Sequence, residues 1–190
     1  SHHAPLEMID HAHPARIAAR VAEPEFQQVA QKAVDARERH YATNTWFSRV
    51  AKNGDEQMLV AYFCSEYAIH ESMPQYSGGL GVLAGDHVKS ASDLGVPFIG
   101  IGLLYRHGYY LQEFTNDGQT RVIYQHYQFE RMPVEDTGID IACPLWDRDV
   151  VARVWRMKVG RSTLLLLDAD RPENSEEDRK LTEGLYKGDS

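Results

Sequence analysis

A glycine-rich segment directly before a helical apolar pattern has the chemistry to hold an anion. The segment runs from Tyr76 to Asp86 with the sequence YSGGLGVLAGD. The first backbone N–H groups of a helix have no partner inside the helix and lie at its partly positive end. Because Gly78 and Gly79 lack a Cβ atom, a phosphate or a sugar hydroxyl can approach the main chain closely. The predicted donors are the N–H groups of Gly78, Gly79, Leu80 and Gly81. The alternative is a tight strand-to-helix turn that packing alone requires.

Acidic residues at two other positions are candidates for chemistry. Glu66 follows a predicted strand, where open α/β sheets place ligand-binding groups; the alternative is a carboxylate that caps a helix or forms a salt bridge. Asp168 and Asp170 have the spacing of an Asp-x-Asp motif that could chelate Mg²⁺ with a nucleotide diphosphate. A strand that ends in acidic loop residues is the favoured interpretation. No metal site is predicted, since the nine histidines also lack a metal-binding spacing.

The glycine segment belongs to a predicted strand–helix–strand unit. Met58–Cys64 is a continuous apolar run of strand length, typical of a central parallel strand. Gly95 and Pro97 end the helix that follows the glycines, and Pro97–Leu104 is a second buried strand. This order is that of a βαβ unit in a parallel sheet, covered further by an amphipathic helix at Glu25–Tyr41. The apolar stripe of the helix is predicted at Leu80, Leu83, Ala84, Val88, Ala91 and Leu94.

Two β-hairpins are predicted in the later part of the chain. The first joins Tyr109–Thr115 to Gln119–Tyr124 through an Asn-Asp-Gly turn. The second joins Val150–Val159 to Thr163–Leu167 through Gly-Arg. Residues 1–24 contain three prolines and are predicted as an irregular lead-in with a short helical piece around Ile17–Val21. Residues 25–190 are predicted as part of one α/β lobe.

The composition excludes several classes of protein. The 28 acidic residues outnumber the 20 basic ones, which argues against a nucleic-acid surface that neutralises phosphates. The two cysteines, Cys64 and Cys143, provide neither a disulfide framework nor a zinc-ligand spacing. No apolar run approaches the roughly 18 residues of a membrane span, and no secretory signal opens the chain. The expectation is a cytoplasmic protein that binds small ligands.

Several motifs follow one another in a characteristic order. They are Tyr62-Phe63-Cys64-Ser65-Glu66-Tyr67, the glycine segment, Lys89 to Pro97, Tyr105 to Gln112, and Asn174 to Asp189. With these motifs, the sequence from about residue 62 to 188 resembles the α-glucan phosphorylases, the family of glycogen, starch and maltodextrin phosphorylases. The combination is specific, whereas Gly-Gly-Leu-Gly alone would be a weak signal.

The resemblance implies a fold, an activity and a cofactor. The fold is a partial, Rossmann-like N-terminal lobe of a two-lobed GT-B glycosyltransferase, with β-hairpin extensions. The activity is phosphorolysis of nonreducing-end α-1,4 glucosyl units to glucose 1-phosphate with retention, so α-1,4-glucan and inorganic phosphate are the implied partners and a homodimer the implied assembly. Pyridoxal phosphate serves through its phosphate group, and its lysine is expected in the C-terminal lobe, outside this chain. Lys52 and Lys89 are not expected to bind it.

The resemblance also assigns roles to residues. The N–H groups of Gly78 to Gly81 are expected to donate to phosphate or glucosyl oxygens, because fixed main-chain dipoles suit an oxocarbenium-like centre between phosphates. Supporting positions around that site are expected at Glu66, Tyr105, Arg106 and Gln112. No catalytic set is complete within the chain, so the chain alone is expected to be an inactive N-terminal fragment.

Two other functions are compatible with the residues. One is a lobe of a nucleotide-sugar glucosyltransferase such as a glycogen or starch synthase, which also uses an early Gly-Gly-Leu turn; such enzymes usually precede it with a lysine, whereas Tyr76 and Ser77 stand here. The other is a free-standing glucan-binding or regulatory module, which would explain a short chain without catalytic machinery.

Overall fold

The structure, a computed structural model, describes residues 8–9, 11–52 and 55–186. The helices used below are α1 (Pro14–Val21), α2 (Pro24–Ala42), α3 (Trp46–Val50), α4 (Gly79–Leu94) and α5 (Glu176–Arg179). Short 3-10 turns lie at Asp55–Gln57, Phe129–Arg131 and Lys180–Thr182. No helix in these described ranges is both long enough and apolar enough to cross a membrane.

The strands form one five-stranded sheet and two small ribbons. They are β1 (Val60–Phe63), β2 (Tyr67–Ala68), β3 (Pro74–Gln75), β4 (Phe98–Leu103), β5 (Leu111–Phe114), β6 (Thr120–Ile123), β7 (Glu135–Leu145), β8 (Arg148–Val159) and β9 (Ser162–Asp168). The large sheet has the order β1-β4-β9-β8-β7. Strands β1, β4 and β9 are parallel to one another, β8 is antiparallel to β9, and β7 is antiparallel to β8. The protein is therefore a mixed α/β structure with a parallel part.

The predicted βαβ unit is confirmed as β1, α4 and β4. Helix α4 ends at Gly95, whose φ of 71° is the left-handed conformation that glycine adopts without steric cost. Strand β1 is shorter than predicted and is not central, since it lies at the edge of the described sheet. Phe63, at its end, is 73% exposed, so its continuous apolar run does not indicate burial on both faces here.

Helix α4 buries a different face from the one that its leucines predict. Its predicted members Ala84, Val88 and Ala91 are buried, but Leu83 is 64% exposed. Leu80 and Leu94 are exposed as well. The buried face instead includes small residues, because α4 lies so close to β2 that only small side chains fit between them. Its buried members are Gly81, Ala84, Gly85, Val88, Ala91 and Ser92.

The main core lies between α4 and one face of the large sheet. Phe98, Leu164 and Leu166 project from β4 and β9 into it and pack with Val88 of the helix. The opposite face is open and carries a depression of about 680 Å³. Its apolar lining includes Phe63, Ile101, Ile139, Ile141, Leu165 and Leu167. Sequence periodicity predicted neither this asymmetry nor the strand β7 at the far edge.

Both predicted hairpins are confirmed. Strands β5 and β6 pair in antiparallel fashion around a turn in which Gly118 has a φ of 80°. Strands β8 and β9 pair through Gly160, with a φ of 58°. Strand β7 extends the second hairpin with a register shift between Asp136 and Ile139, where polar residues interrupt the alternation that would have revealed it.

The helices before the sheet pack little. Helix α2 confirms the helix predicted at Glu25–Tyr41 but not its predicted packing as a cover on the sheet, and α1 is longer than the piece predicted in the lead-in. Neither helix buries any residue. Helix α2 is attached at its end, where the Tyr41 hydroxyl donates to the Gly160 carbonyl at 3.0 Å and Arg161 donates to the His40 carbonyl.

Candidate functional site

The glycine loop opens α4 with its donors free. Gly78 is the N-cap and Gly79 the first helical residue, and the first bond of the helix runs from the Val82 N–H to the Gly78 carbonyl. The N–H groups of residues 79–81 consequently lack a backbone acceptor in the described chain. A Cβ atom added at Gly78 or Gly79 would meet no atom of another described residue within 4 Å, its chain neighbours aside. The space beside these two glycines is therefore open.

Glu66 already occupies part of the predicted anion position. Its side chain is 3% exposed, and its Oε2 accepts the N–H of Ser77 at 2.5 Å and that of Gly78 at 3.4 Å. The Ser77 hydroxyl lies 3.3 Å from the same oxygen. A buried carboxylate needs such donors, because leaving it without hydrogen bonds would be costly. Of the predicted donors, Gly78 is thus used internally, and Gly79, Leu80 and Gly81 remain.

Two tyrosines complete the surroundings of Glu66. The Tyr186 hydroxyl donates to Glu66 Oε1 at 3.2 Å. Tyr105 is buried, and burial, followed by the proximity of Tyr186 and Glu66, raises the pKa of its phenol to about 12. The Tyr105 phenol is therefore protonated at neutral pH, so it is able to donate a hydrogen bond but not to act as a base.

Three parallel strands deliver polar residues to one edge of the sheet. Glu66 follows β1, Tyr105 and Arg106 follow β4, and Asp168 ends β9. The strands β1, β4 and β9 are neighbours in the sheet, so these residues gather at its carboxyl edge. This is the edge at which open α/β sheets bind ligands.

Arg106 forms ion pairs with Asp168 and Asp170, the two residues of the Asp-x-Asp motif. Its Nη2 lies 3.0 Å from Asp168 Oδ2 and its Nε 3.1 Å from Asp170 Oδ2. The guanidinium also stacks over Phe129, 4.7 Å from the ring centroid. Burial raises the pKa of Asp168, although the charge of Arg106 favours its ionised form. In the described ranges, no group of three or more metal-ligating side chains occurs. The Asp-x-Asp pair is therefore an anchor for Arg106.

Gln112 and the lysines lie apart from this cluster. Gln112 is exposed on β5, in the separate ribbon with β6. The described lysines, at positions 32, 52, 89, 158 and 180, are all exposed. An aldehyde cofactor such as pyridoxal phosphate needs an enclosed amine, so this part of the chain provides no site that fits it.

Sequence reasoning missed two residues of the cluster. Gln75 is 2% exposed and hydrogen-bonds with the main chain of Tyr105. Tyr186 reaches Glu66 from 120 positions further along the chain. No local pattern announces either contact, since both depend on how distant segments meet.

The fold and the cluster define a class: an α/β protein with main-chain donors and a buried carboxylate at the carboxyl edge of parallel strands. Comparisons with known proteins give this class a family. A maltodextrin phosphorylase of Thermococcus litoralis is 46% identical over 78% of this chain and 18% of its own length. A glycogen phosphorylase of Mycobacterium tuberculosis is 38% identical over 98% of the chain and 23% of its own length. A glycogen phosphorylase of Aquifex aeolicus is 38% identical over 75% of the chain and 22% of its own length.

The chain belongs to the α-glucan phosphorylase family and corresponds to an N-terminal portion of its members. It spans about one fifth of the length of these relatives. A second family, described as a protein of unknown function (DUF3417), matches residues 1–73. The expectation drawn from the motifs is therefore confirmed at the level of the family.

Proposed function

We propose that this chain forms one wall of a site for α-glucan phosphorolysis. In the full-length protein, inorganic phosphate would attack a nonreducing-end α-1,4 glucosyl unit and release glucose 1-phosphate with retention. The N–H groups of Gly79, Leu80 and Gly81 would donate to phosphate or glucosyl oxygens. The names of the relatives support the substrates, since they are a maltodextrin and two glycogen phosphorylases.

The observation that carries the proposal is the open first turn of α4. Among the described residues, none accepts the N–H groups of Gly79, Leu80 and Gly81, and a Cβ atom added at Gly79 would meet no neighbouring side chain or main chain within 4 Å. Donors fixed in this way stabilise charge that develops in a transition state without having to reorganise. The buried Glu66 beside them holds the loop in place through Ser77 and Gly78.

The neighbouring side chains have supporting roles in this proposal. Tyr105, protonated at neutral pH, would offer its hydroxyl as a donor. Arg106 would keep its segment fixed through Asp168 and Asp170 rather than bind phosphate itself. Gln112 stays a predicted supporting residue from the ribbon.

The proposal extends to the architecture of the full-length enzyme. We place the described sheet in a Rossmann-like N-terminal lobe of a two-lobed GT-B protein, with residues 25–190 in that lobe and residues 1–24 leading into it. The cofactor would be pyridoxal phosphate, held by a lysine outside this chain. The enzyme would be cytoplasmic and a homodimer, and this chain alone would be inactive.

The test is product formation by the full-length protein. Incubation with maltoheptaose and inorganic phosphate should give α-glucose 1-phosphate, identified by the phosphorus resonance and by the small anomeric coupling of the proton spectrum. Ser90→Ala, on an exposed part of α4, is the matched variant that should retain full activity. The 190-residue chain alone should give no product.

Three outcomes would contradict the proposal. Release of free glucose or maltose would indicate hydrolysis. Elongation of maltoheptaose with a nucleotide-activated glucose, without phosphorolysis, would indicate a synthase. Formation of β-glucose 1-phosphate would support phosphorolysis but exclude a mechanism with retention of configuration.

A further inference from the structure

Gln75 is a buried side chain that binds both main-chain groups of one distant residue. Its Nε2 donates to the Tyr105 carbonyl at 2.9 Å, and its Oε1 accepts the Tyr105 N–H at 2.7 Å. The carboxamide thus pairs with Tyr105 as a neighbouring strand would pair with it. Both partners are buried, so neither bond is exchanged easily for water.

The pair joins two segments that reach the same site from different directions. Gln75 ends β3, two positions before Ser77, whose N–H binds Glu66. Tyr105 follows β4, in a stretch whose other main-chain groups already have partners. The Leu104 N–H binds the Leu167 carbonyl at 2.9 Å, and the Arg106 N–H binds the Thr182 carbonyl at 3.2 Å. Gln75 therefore supplies the missing partner for Tyr105 and ties it to the glycine loop.

Glu66 makes a second tie to the loop, from the segment that follows β1. It binds Ser77 and Gly78 on one side and Tyr186 on the other. The loop is thus held at two points: at Gln75 before it, and at Ser77 and Gly78 within it. Removing the Gln75 tie leaves the loop attached to Glu66 but free to shift relative to β4.

We propose that Gln75 is a positioning residue, which fixes the glycine loop against the segment that carries Tyr105. This inference rests on the proposed function, because it makes the distance between the first-turn donors of α4 and Tyr105 a determinant of phosphorolysis. Gln75 itself touches no reacting atom. Displacements on the order of 1 Å at such a site reduce rates about a hundredfold, so loss of this tie should be visible in kcat.

The first experiment measures the tie itself in the full-length protein. Gln75→Leu approximately keeps the volume of the side chain and removes both hydrogen bonds. Amide exchange, followed by mass spectrometry with fragmentation to single residues, should become about tenfold faster at Ser77 and Gly78 as well as at Tyr105. Gln128→Leu, at an exposed glutamine, is the matched control and should leave all three rates unchanged. Faster exchange confined to Tyr105 would overturn the proposal, since Gln75 would then act only locally.

Gln75→Glu provides the second variant, which keeps the inference testable if the leucine variant fails to fold. A protonated carboxyl offers one donor and one acceptor, the two groups that the Gln75 carboxamide uses toward Tyr105, whereas an ionised one repels the Tyr105 carbonyl. Exchange at Ser77 and Gly78, relative to the unsubstituted chain at the same pH, should return toward normal between about pH 8 and about pH 5. A ratio that does not change with pH would overturn the proposal.

The third experiment uses the full-length enzyme. Gln75→Leu should lower kcat for phosphorolysis about 10- to 100-fold with a smaller change in KM for maltoheptaose. An unchanged kcat together with faster loop exchange would overturn the positioning role. If the unsubstituted enzyme performs no phosphorolysis, the proposed function fails, but the exchange data still decide whether Gln75 positions the loop.

Discussion

The segment that begins helix α4 contains two pairs of glycines in contrasting surroundings. A methyl group at Gly85 would lie 2.1 Å from the Ala68 carbonyl oxygen, and one at Gly81 would lie 2.5 Å from the Tyr76 Cβ. At Gly78 and Gly79 it would meet nothing within 4 Å. The later pair is thus required by packing and the earlier pair is left open toward the solvent. One motif thus meets two physical demands: packing excludes a side chain at the later pair, and the earlier pair leaves space beside the first turn of the helix.

The largest effect is expected for Gly85→Ala. The added methyl group meets main-chain atoms of β2, which cannot move without disturbing its pairing with β3. Overpacking of this kind costs about 2–3 kcal/mol, more than the roughly 1 kcal/mol that alanine gains in a helix. Urea denaturation followed by circular dichroism should show the loss. Unchanged stability would mean that α4 and β2 are not in such close contact.

Gly81→Ala should cost less, about 1–2 kcal/mol. The closest contact is with the Tyr76 Cβ, in the loop before the helix and outside any strand, and Glu66 Oε2 at 3.0 Å is the movable end of a side chain. Because relief of the second contact moves Glu66, the Ser77 N–H should also exchange faster. The same denaturation experiment, with Ser90→Ala as the control on an exposed part of the helix, measures the difference. A cost equal to that of Gly85→Ala would show that the loop at Tyr76 yields no more easily than the paired strand β2.

Glu66→Gln tests the residue that lies between the two pairs. The amide oxygen can still accept the N–H groups of Ser77 and Gly78, but the charge that strengthens these bonds is lost. We expect a loss of about 1 kcal/mol, and a larger one for Glu66→Ala, which leaves those donors unsatisfied. Thermal denaturation of both variants provides the comparison. Equal costs would show that the charge, and not the hydrogen bonds, matters at this position.

The sequence predicted the parts of the fold that depend on local signals. The βαβ unit follows from two apolar runs and from the cap at Gly95, and both hairpins follow from their turns. The sequence did not predict the features that depend on how closely distant segments pack. Leu80 and Leu83 are large apolar residues near the start of α4, yet the buried face there consists of Gly81, which lies against Tyr76 and Glu66, and Gly85, which lies against Ala68.

The candidate site was predictable to a similar extent. The glycine loop and Glu66 were found because each follows or precedes a recognisable element. The contacts of Gln75 and Tyr186 join positions 30 and 120 residues apart, and no periodicity encodes them. The ion pairs of Arg106 were not predicted for the same reason, since Asp168 ends β9 and Asp170 follows it, far from Arg106 in the sequence.

The smallest effect on stability, and the most informative for function, is expected for Gly79→Ala. The methyl group enters empty space at the first position of the helix, so stability should stay the same or rise by up to about 1 kcal/mol. The same methyl group is attached between the N–H groups of Gly79 and Leu80, which are proposed to donate to phosphate or glucosyl oxygens. Phosphorolysis by the full-length enzyme should therefore fall about 10- to 100-fold.

This opposite response of stability and activity is what separates an open glycine from a packed one. In Gly85→Ala, any loss of activity should follow the loss of folded protein and recover when activity is expressed per folded molecule. In Gly79→Ala, the loss should persist in fully folded protein. Destabilisation of Gly79→Ala by more than about 1 kcal/mol would show that the loop is closed in solution. Full activity would show that ligands do not approach from this side, and the donors at the start of α4 would then serve the fold alone.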